Sequence, residues 1–258
     1  MSTVLSLSQI SYNYHTLQGE TAAIKDISFQ VAKGEFIAIV GPSGCGKSTL
    51  LHIIAGLLFP SKGTVFMNGM ALFESKSEIG YMLQKDHLLE HRTIYKNILL
   101  GLEIQEKLTP GYLLPVEKMI EEYGLSDFRH AYPRQLSGGM RQRAALIRTL
   151  ALSPDLLLLD EPFSALDYQT RLKVSNDIGS ILKKQRMTAI LVTHDLSEAI
   201  SMADRVLILS KRPGSIKKIV PIRFAKTPSS PEDARSMPEF AGYFNLIWKE
   251  VKNEETSV

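Results

Sequence analysis

Apolar and polar residues alternate over residues 4–10 (VLSLSQI) and again over residues 27–31 (ISFQV), the two-residue period of a strand with one buried face. Lys33-Gly34 follows and reads as a hairpin turn. The run Phe36–Val40 is apolar on both faces, which fits a strand buried in a parallel sheet. It ends in a glycine-rich loop, residues 41–46, after which residues 48–58 carry apolar side chains at helical spacing. Residues 156–159, 188–192 and 206–209 are further buried-strand runs, and helical patterns near 167–184 and 195–203 separate them. Strands alternating with helices predict an α/β fold built on a parallel sheet.

Residues 86–150 read differently. They have helical patterning and few β-branched runs, with Pro110, Pro115 and Pro133 as breaks, and predict a helical subdomain inserted into the sheet domain. After Ser210 a short extended region begins, and residues 227–240 read as a loop. Phe240, Tyr243, Phe244, Ile247, Trp248 and Val251 then form one apolar stripe of an amphipathic helix. Its mixed polar face favours packing on the core or against a second copy over attachment to lipid. The expected division is residues 1–215 as the main domain and residues 216–258 as an extension with a loop and a helix.

Composition narrows the function classes. With 258 residues, 44% apolar and 22% charged, the chain can bury a sizeable core and is not disordered. Thirty basic against 27 acidic side chains leave +3, too small an excess to argue for nucleic-acid binding. The one cysteine, Cys45, excludes an internal disulfide and any multi-cysteine zinc site. The first residues have no basic segment followed by an apolar core, so no signal peptide is expected. The longest apolar runs fall far short of the roughly 20 residues that span a bilayer, so work at a membrane would go through a partner.

The chemistry begins at Gly41-Pro42-Ser43-Gly44-Cys45-Gly46-Lys47-Ser48-Thr49, which satisfies the phosphate-loop pattern GxxxxGK[ST] between a predicted strand and a predicted helix. Glycines let successive backbone N–H groups curl around phosphate oxygens, and the helix N-terminus points its positive end at the same anion. Lys47 is placed to reach the β and γ phosphates, and the Ser48 hydroxyl to ligate Mg²⁺. Cys45 reads as a small loop residue. Asp160 and Glu161 end a strand: one carboxylate suited to hold Mg²⁺ through a water, the other to polarise an attacking water. Leu136-Ser137-Gly138-Gly139-Met140, followed by a helix, is a second N-terminus fit for phosphate. One nucleotide has one γ phosphate, so a second site makes sense if it serves the nucleotide of another subunit. Taken alone, each feature has a plainer reading: a solvated acidic edge, or a serine cap with a glycine bend.

Together and in this order, these motifs resemble the ATP-binding cassette family over about residues 4–215. The resemblance implies a RecA-like P-loop NTPase core, an N-terminal antiparallel β subdomain and the inserted helical subdomain. Residues 136–140 are similar to the family's LSGGQ signature, with Met140 in the last position. Gln84, in Gly80-Tyr-Met-Leu-Gln84, resembles the glutamine that reaches Mg²⁺ and the attacking water and reports to a membrane partner. Ser164-Ala-Leu-Asp167 resembles the D-loop, so Asp167 is counted with the nucleotide residues, and His194 resembles the switch histidine. Tyr14, preferred over Tyr12, stands about where the family carries an adenine-stacking aromatic; either tyrosine could simply pack. Arg141 and Arg143 read as helix-surface charges.

The resemblance also implies partners. Two copies would pair head to tail around two ATP molecules, at the cytoplasmic face of the membrane, against an integral-membrane permease and, through it, an extracytoplasmic solute-binding protein. No nucleic acid is expected. Residues 84–103 would form the permease groove, with Leu88, Leu89, His91 and Tyr95 as contacts or as ordinary packing. Residues 132–143, Arg212-Pro213-Gly214 and Pro238-Glu-Phe240 are most similar to the nitrate, sulfonate and taurine importers, a group that includes importers of thiamine-precursor pyrimidines. Glu90-His91 departs from the Pro-Trp usual there. An exporter subunit would carry the same nucleotide site.

Overall fold

The computed structural model describes residues 2–17 and 19–256. Two compact units make up the chain: one from residues up to Ser77 and from Gly179 onward, the other from Glu78–Ile178.

The first unit opens with β1 (Thr3–Thr16), β2 (Gly19–Ala32), β3 (Phe36–Val40), α1 (Lys47–Ile54), β4 (Lys62–Met67) and β5 (Met70–Ala71). Four of these strands form an antiparallel sheet in the order β2-β1-β4-β5. Leu5, Leu7 and Ile10 of β1 face Val31, Phe29 and Ile27 of β2, all buried, as the alternation predicts. Both strands run well past the predicted segments. The period is lost between Leu7 and Tyr12 because the register shifts there, with Gln9 and Asp26 at positive φ and their N–H groups taken by Ser28 Oγ (2.8 Å) and Ser11 Oγ (3.0 Å). A bulge flips the in–out alternation, which hides a long strand from a period count.

Lys33-Gly34 is a turn, closed by Glu35 N–H on Ala32 C=O at 3.0 Å, but not a hairpin: β2 and β3 lie in different sheets. Helix α1 stops at Ile54, short of the predicted end. Leu57 N–H bonds His52 C=O (2.9 Å) and Gly56 N–H bonds Ile53 C=O (3.1 Å), a Schellman closure that turns Leu57 away.

The second unit contains β6 (Ile79–Met82), α2 (Ile94–Ile98), α3 (Leu100–Ile104), α4 (Pro110–Glu122), α5 (Gly138–Leu150), β7 (Leu156–Asp160) and the start of α6 (Tyr168–Lys184). Strands β6 and β7 pair in parallel, Ile79 with Leu156 through Met82 with Leu159. Two of the prolines expected to break helices sit inside one instead. Pro110 occupies the first turn of α4, where a missing N–H is tolerated, and Pro115 follows within the same helix. Pro133 begins a single 3₁₀ turn.

The chain returns to the first unit with β8 (Ala189–Val192), α7 (Leu196–Met202), β9 (Arg205–Leu209), β10 (Ile216–Pro221), α8 (Pro231–Ser236) and α9 (Pro238–Thr256). Here the strand order is β10-β9-β3-β8, with β3 parallel to both neighbours and every β3 side chain buried. The expected loop 227–240 holds α8: Ser230 Oγ accepts from Asp233 N–H at 3.1 Å, and Pro231, Glu232 and Asp233 fill the first turn. Along α9 only Ile247 of the predicted stripe is fully buried, while Trp248 is 51% exposed. Tyr243 Oη ties the helix to Arg223, accepting from its N–H (3.0 Å) and donating to its C=O (2.9 Å), and Glu250 and Glu254 pair with Lys217.

Candidate functional site

In the first unit β3 ends at Val40 and releases the phosphate loop into α1. Gly46 caps the helix at φ 97°, and a Cβ there would lie 2.5 Å from Ile24 Cγ2 and 2.9 Å from Ala23 C=O. Only glycine fits both the left-handed backbone and the close approach. The Lys47 side chain is buried, and its ammonium donates to Gly41 C=O and Pro42 C=O at 2.9 Å each. The cation is therefore held inside the ring of backbone that Gly41–Ser48 describe. Burial pushes the Cys45 thiol above its ordinary range despite Lys47 3.8 Å away, so it is a packed thiol rather than a nucleophile. Tyr14 Oη lies 3.0 Å from Thr49 Oγ1, its ring edge-on to Tyr12 at 4.9 Å and 40% exposed. Tyr14 thus stands beside the phosphate loop with its ring open to solvent.

His194 follows β8, and β8 pairs with β3 so that Ile39 faces Val192. The phosphate loop and His194 consequently leave the same C-terminal edge of neighbouring parallel strands, where ligands bind in such sheets. Thr193 N–H bonds Ile39 C=O, and Thr193 Oγ1 donates to Glu198 at 2.7 Å. Asp195 caps α7 through Ser197 N–H (2.8 Å) and Glu198 N–H (3.3 Å). His194 is exposed between these two fixed neighbours.

The second unit presents the carboxylates. Four leucines bury β7 and bring Asp160 to its end, only 8% exposed, with Tyr81 Oη donating to its Oδ2 at 3.2 Å. Burial, then the charge of Asp160, raises the Tyr81 phenol, which stays a donor. Glu161 adopts φ 45°, a left-handed conformation that costs a side-chain-bearing residue on the order of 1 kcal/mol. Gln84, just past β6, donates its Nε2 to Glu161 Oε2 (3.4 Å) and Ser164 Oγ (3.2 Å).

Ser137 caps α5, its Oγ accepting from Met140 N–H at 3.4 Å, and Ser137 and Gly138 are exposed. Gly139 is buried for a packing reason absent from the sequence reading: a Cβ would meet Val174 Cγ2 at 2.8 Å and Thr170 Cγ2 at 3.1 Å on α6. Asp167 caps α6 through Thr170 N–H at 3.0 Å, and hydrogen bonds from Thr170, its side chain first and then its backbone, lower the Asp167 carboxyl below the usual range. Of the groove residues, Leu88 is buried and Tyr95 Oη donates to Glu117 at 2.8 Å, so these two pack; His91 is exposed.

Several working residues escaped sequence reasoning. Asn97, fully buried on α2, accepts from Leu89 N–H (2.7 Å) and donates to the carbonyls of Leu89 (3.1 Å), Arg92 (3.1 Å) and Thr93 (3.0 Å), holding the loop after Gln84. Asn97 stands in the largely apolar run of residues 94–102, where a lone amide does not by itself say which backbone groups it meets. A Cβ on Gly214 would fall 2.0 Å from Cys45 C=O, and Gly214 joins Ala23 and Lys25 through backbone bonds of 2.9 Å, so the Arg-Pro-Gly turn backs the phosphate loop. Arg143 is not a surface charge: it pairs with Asp177 at 2.5 Å and donates to Tyr123 C=O. Arg141 is likewise engaged, with Asp86 and Glu90.

Comparison with known proteins agrees with this geometry. The family described as ABC transporter matches residues 24–164. An uncharacterized ABC transporter ATP-binding protein of Bacillus subtilis, YtlC, is 47% identical over 97% of this chain and 96% of its own length. The aliphatic sulfonates import ATP-binding protein SsuB of Bacillus licheniformis is 38% identical over 92% of this chain and 90% of its own. The dimeric post-hydrolysis structure of the ATP-binding cassette MJ0796, bound to ADP and Pi, superposes with TM-score 0.72 at 27% identity, covering 85% of this chain and 99% of that one. The chain belongs to the ABC transporter family, as an ATP-binding ATPase with the P-loop fold of that family. No helix among the described residues is long and apolar enough to cross a membrane.

Proposed function

We propose that this chain hydrolyses ATP to drive an importer that takes up a small anion, an aliphatic sulfonate such as taurine or else nitrate, through a separate permease. The observation that carries the solute class is the role for which two relatives are named: the aliphatic sulfonates import protein of Bacillus licheniformis and its counterpart in Burkholderia cenocepacia, 42% identical over 85% of this chain. In this reading the backbone from Gly41 to Thr49 and the Lys47 ammonium bind the phosphates, Tyr14 stacks on the adenine, Glu161 polarises the attacking water, and Gln84 and His194 orient it. Ser137, Gly138, Gly139 and Asp167 serve the nucleotide of a second copy. The dimeric form of MJ0796 supports that pairing.

The nucleotide is bound as its Mg²⁺ complex. Ser48, Gln84 and Asp160 offer a hydroxyl, an amide and a carboxylate, the hard oxygen donors that Mg²⁺ takes alongside phosphate. The buried carboxylate of Asp160, held by Tyr81, fits a cation better than it fits water. The ion would spread the negative charge of the phosphates during transfer. The protein works at the cytoplasmic face of the membrane against its permease, which in turn receives solute from an extracytoplasmic binding protein.

Uptake by a strain lacking this chain, complemented with wild type or Lys47→Ala, tests the reading. Labelled taurine, longer alkanesulfonates, nitrate and a hydroxymethyl-pyrimidine are offered. Restoration of sulfonate or nitrate uptake by wild type alone is the expected result. Restoration of pyrimidine uptake alone would move the chain to the pyrimidine importers, and no restored uptake would move it to export.

A further inference from the structure

Helix α5 carries an arginine, Arg141, in the turn that follows its Ser137 cap, and no acidic residue in that first turn. A cation there opposes the positive end of the helix dipole, so the helix alone gives no reason for it. The compensation comes from the loop after Gln84. Arg141 Nε and Nη2 grip Asp86 Oδ2 and Oδ1 at 2.8 and 3.1 Å, and Nη2 also reaches Glu90 Oε1 at 2.9 Å. Two turns on, and so on the same face of α5, Arg148 donates to the backbone carbonyls of His87 (2.8 Å) and Asp86 (2.6 Å). Asp86 Oδ1 additionally accepts Leu88 N–H at 3.0 Å, which fixes the loop's own turn. From the opposite side Asn97 closes the same loop at Leu89, Arg92 and Thr93.

The loop is therefore gripped from two helices, and its firmest grip is a forked ion pair whose side chains are only 24% and 19% exposed. Such bidentate guanidinium–carboxylate pairs hold geometry as well as charge.

We propose that Arg141 is a positioning residue that fastens the Gln84 loop to the Ser137 end of α5, so that Gln84, which touches Glu161, and Ser137 shift together. The proposal rests on the function assigned above, in which Gln84 and Ser137 act on nucleotide. A push on residues 86–91 from a partner would then be delivered to the end of α5 without a hinge between them, because the fork leaves no slack at Asp86.

The test is a double-mutant cycle on the purified full chain: wild type, Arg141→Gln, Asp86→Asn and both together, with kcat, KM for ATP and Tm measured for each. Each single variant should lower kcat by about tenfold with KM changed by less than about twofold, and the double should fall no further than the singles, since both remove one fork. Arg141→Lys, which keeps the charge and loses the fork, should recover only part of kcat. Glu90→Gln is the mild variant in case the others fold poorly: a drop in kcat of about twofold in wild type, and none on the Arg141→Gln background, is expected. Multiplying effects in the double, a rise in KM at unchanged kcat, or activity that merely follows Tm would overturn the proposal. Hydrolysis that is lost in Glu161→Gln yet untouched by Arg141→Gln overturns this inference alone. A wild-type chain that hydrolyses no ATP overturns the function and the inference together.

Discussion

Gln84 and Glu161 meet at the C-terminal end of the β6–β7 pair, Nε2 to Oε2 at 3.4 Å, with Ser164 Oγ completing the contact at 3.2 Å from the same Nε2. The glutamine and the proposed general base are separated by 77 residues of sequence and joined by a single parallel pairing, Met82 beside Leu159. Any displacement of the loop after β6 is thereby felt at the carboxylate proposed to activate water.

Glu161→Gln removes the base and keeps the shape of the left-handed turn. We expect ATP binding to persist, hydrolysis to fall by roughly 10²-fold or more, and an ATP-stabilised dimer to appear on gel filtration. A monomer at saturating ATP would speak against a nucleotide shared by two copies.

Lys47→Ala leaves the Gly41 and Pro42 carbonyls facing one another without the ammonium that now bridges them. Both the phosphate ligand and the loop's internal tie are lost. Titration with a fluorescent ATP analogue should show affinity weakened at least about 100-fold, near 3 kcal/mol. Hydrolysis at the wild-type rate would sink the phosphate-loop assignment.

Gly139→Ala tests packing against chemistry at the signature. The new methyl falls 2.8 Å from Val174 Cγ2, so overpacking should destabilise the protein by about 1–3 kcal/mol in urea unfolding. Val174→Ala in the same chain should return most of that loss. Stability restored without ATPase activity would show that Gly139 has a second duty at the nucleotide.

Asn97→Ala deletes four hydrogen bonds to the backbone of the Gln84 loop from a fully buried site. Leaving those groups unpartnered should cost about 2–4 kcal/mol, read from the urea midpoint at unchanged slope. Hydrogen exchange should quicken at Leu89 while β3 and β8 stay protected.

The Asp86 carboxyl is held below its ordinary value in the folded chain, so folding favours its ionised form. Its contribution is present above the unfolded value, near pH 4, and fades as pH falls through the lower folded value. Stability measured from pH 6 down to pH 3 should decline less steeply in Asp86→Asn than in wild type; equal slopes would show that the ion pair adds nothing.

Much of this architecture was legible because it rests on local rules. Phe36–Val40 and the leucines of β7 read as buried strands because each is apolar on both faces, and both are fully buried. The phosphate loop was legible because glycine spacing states a backbone requirement directly. The β1–β2 ribbon was half hidden by its bulges, and the strand β6 by its mixture of glycine and tyrosine. Prolines misled: Pro110 and Pro115 look like breaks to a pattern count, yet α4 starts at the first and contains the second. The Ser-Pro-Glu-Asp start of α8 is a capping signal set among serines and prolines that read as loop.

By itself, then, the order of residues determined the chemistry on offer: a loop for phosphate, two carboxylates after a strand, a serine and two glycines opening a helix, a histidine after another strand. Each depends on neighbours a few positions away. Only the tertiary structure decided which groups meet across long separations. Arg141 was a surface charge in sequence and is the clamp of Asp86 and Glu90 in space; Gly139 was a phosphate ligand in sequence and is also a place where α6 packs on α5. Those pairings follow from parallel strand register and helix packing, which are set by the burial of whole faces and leave no local mark.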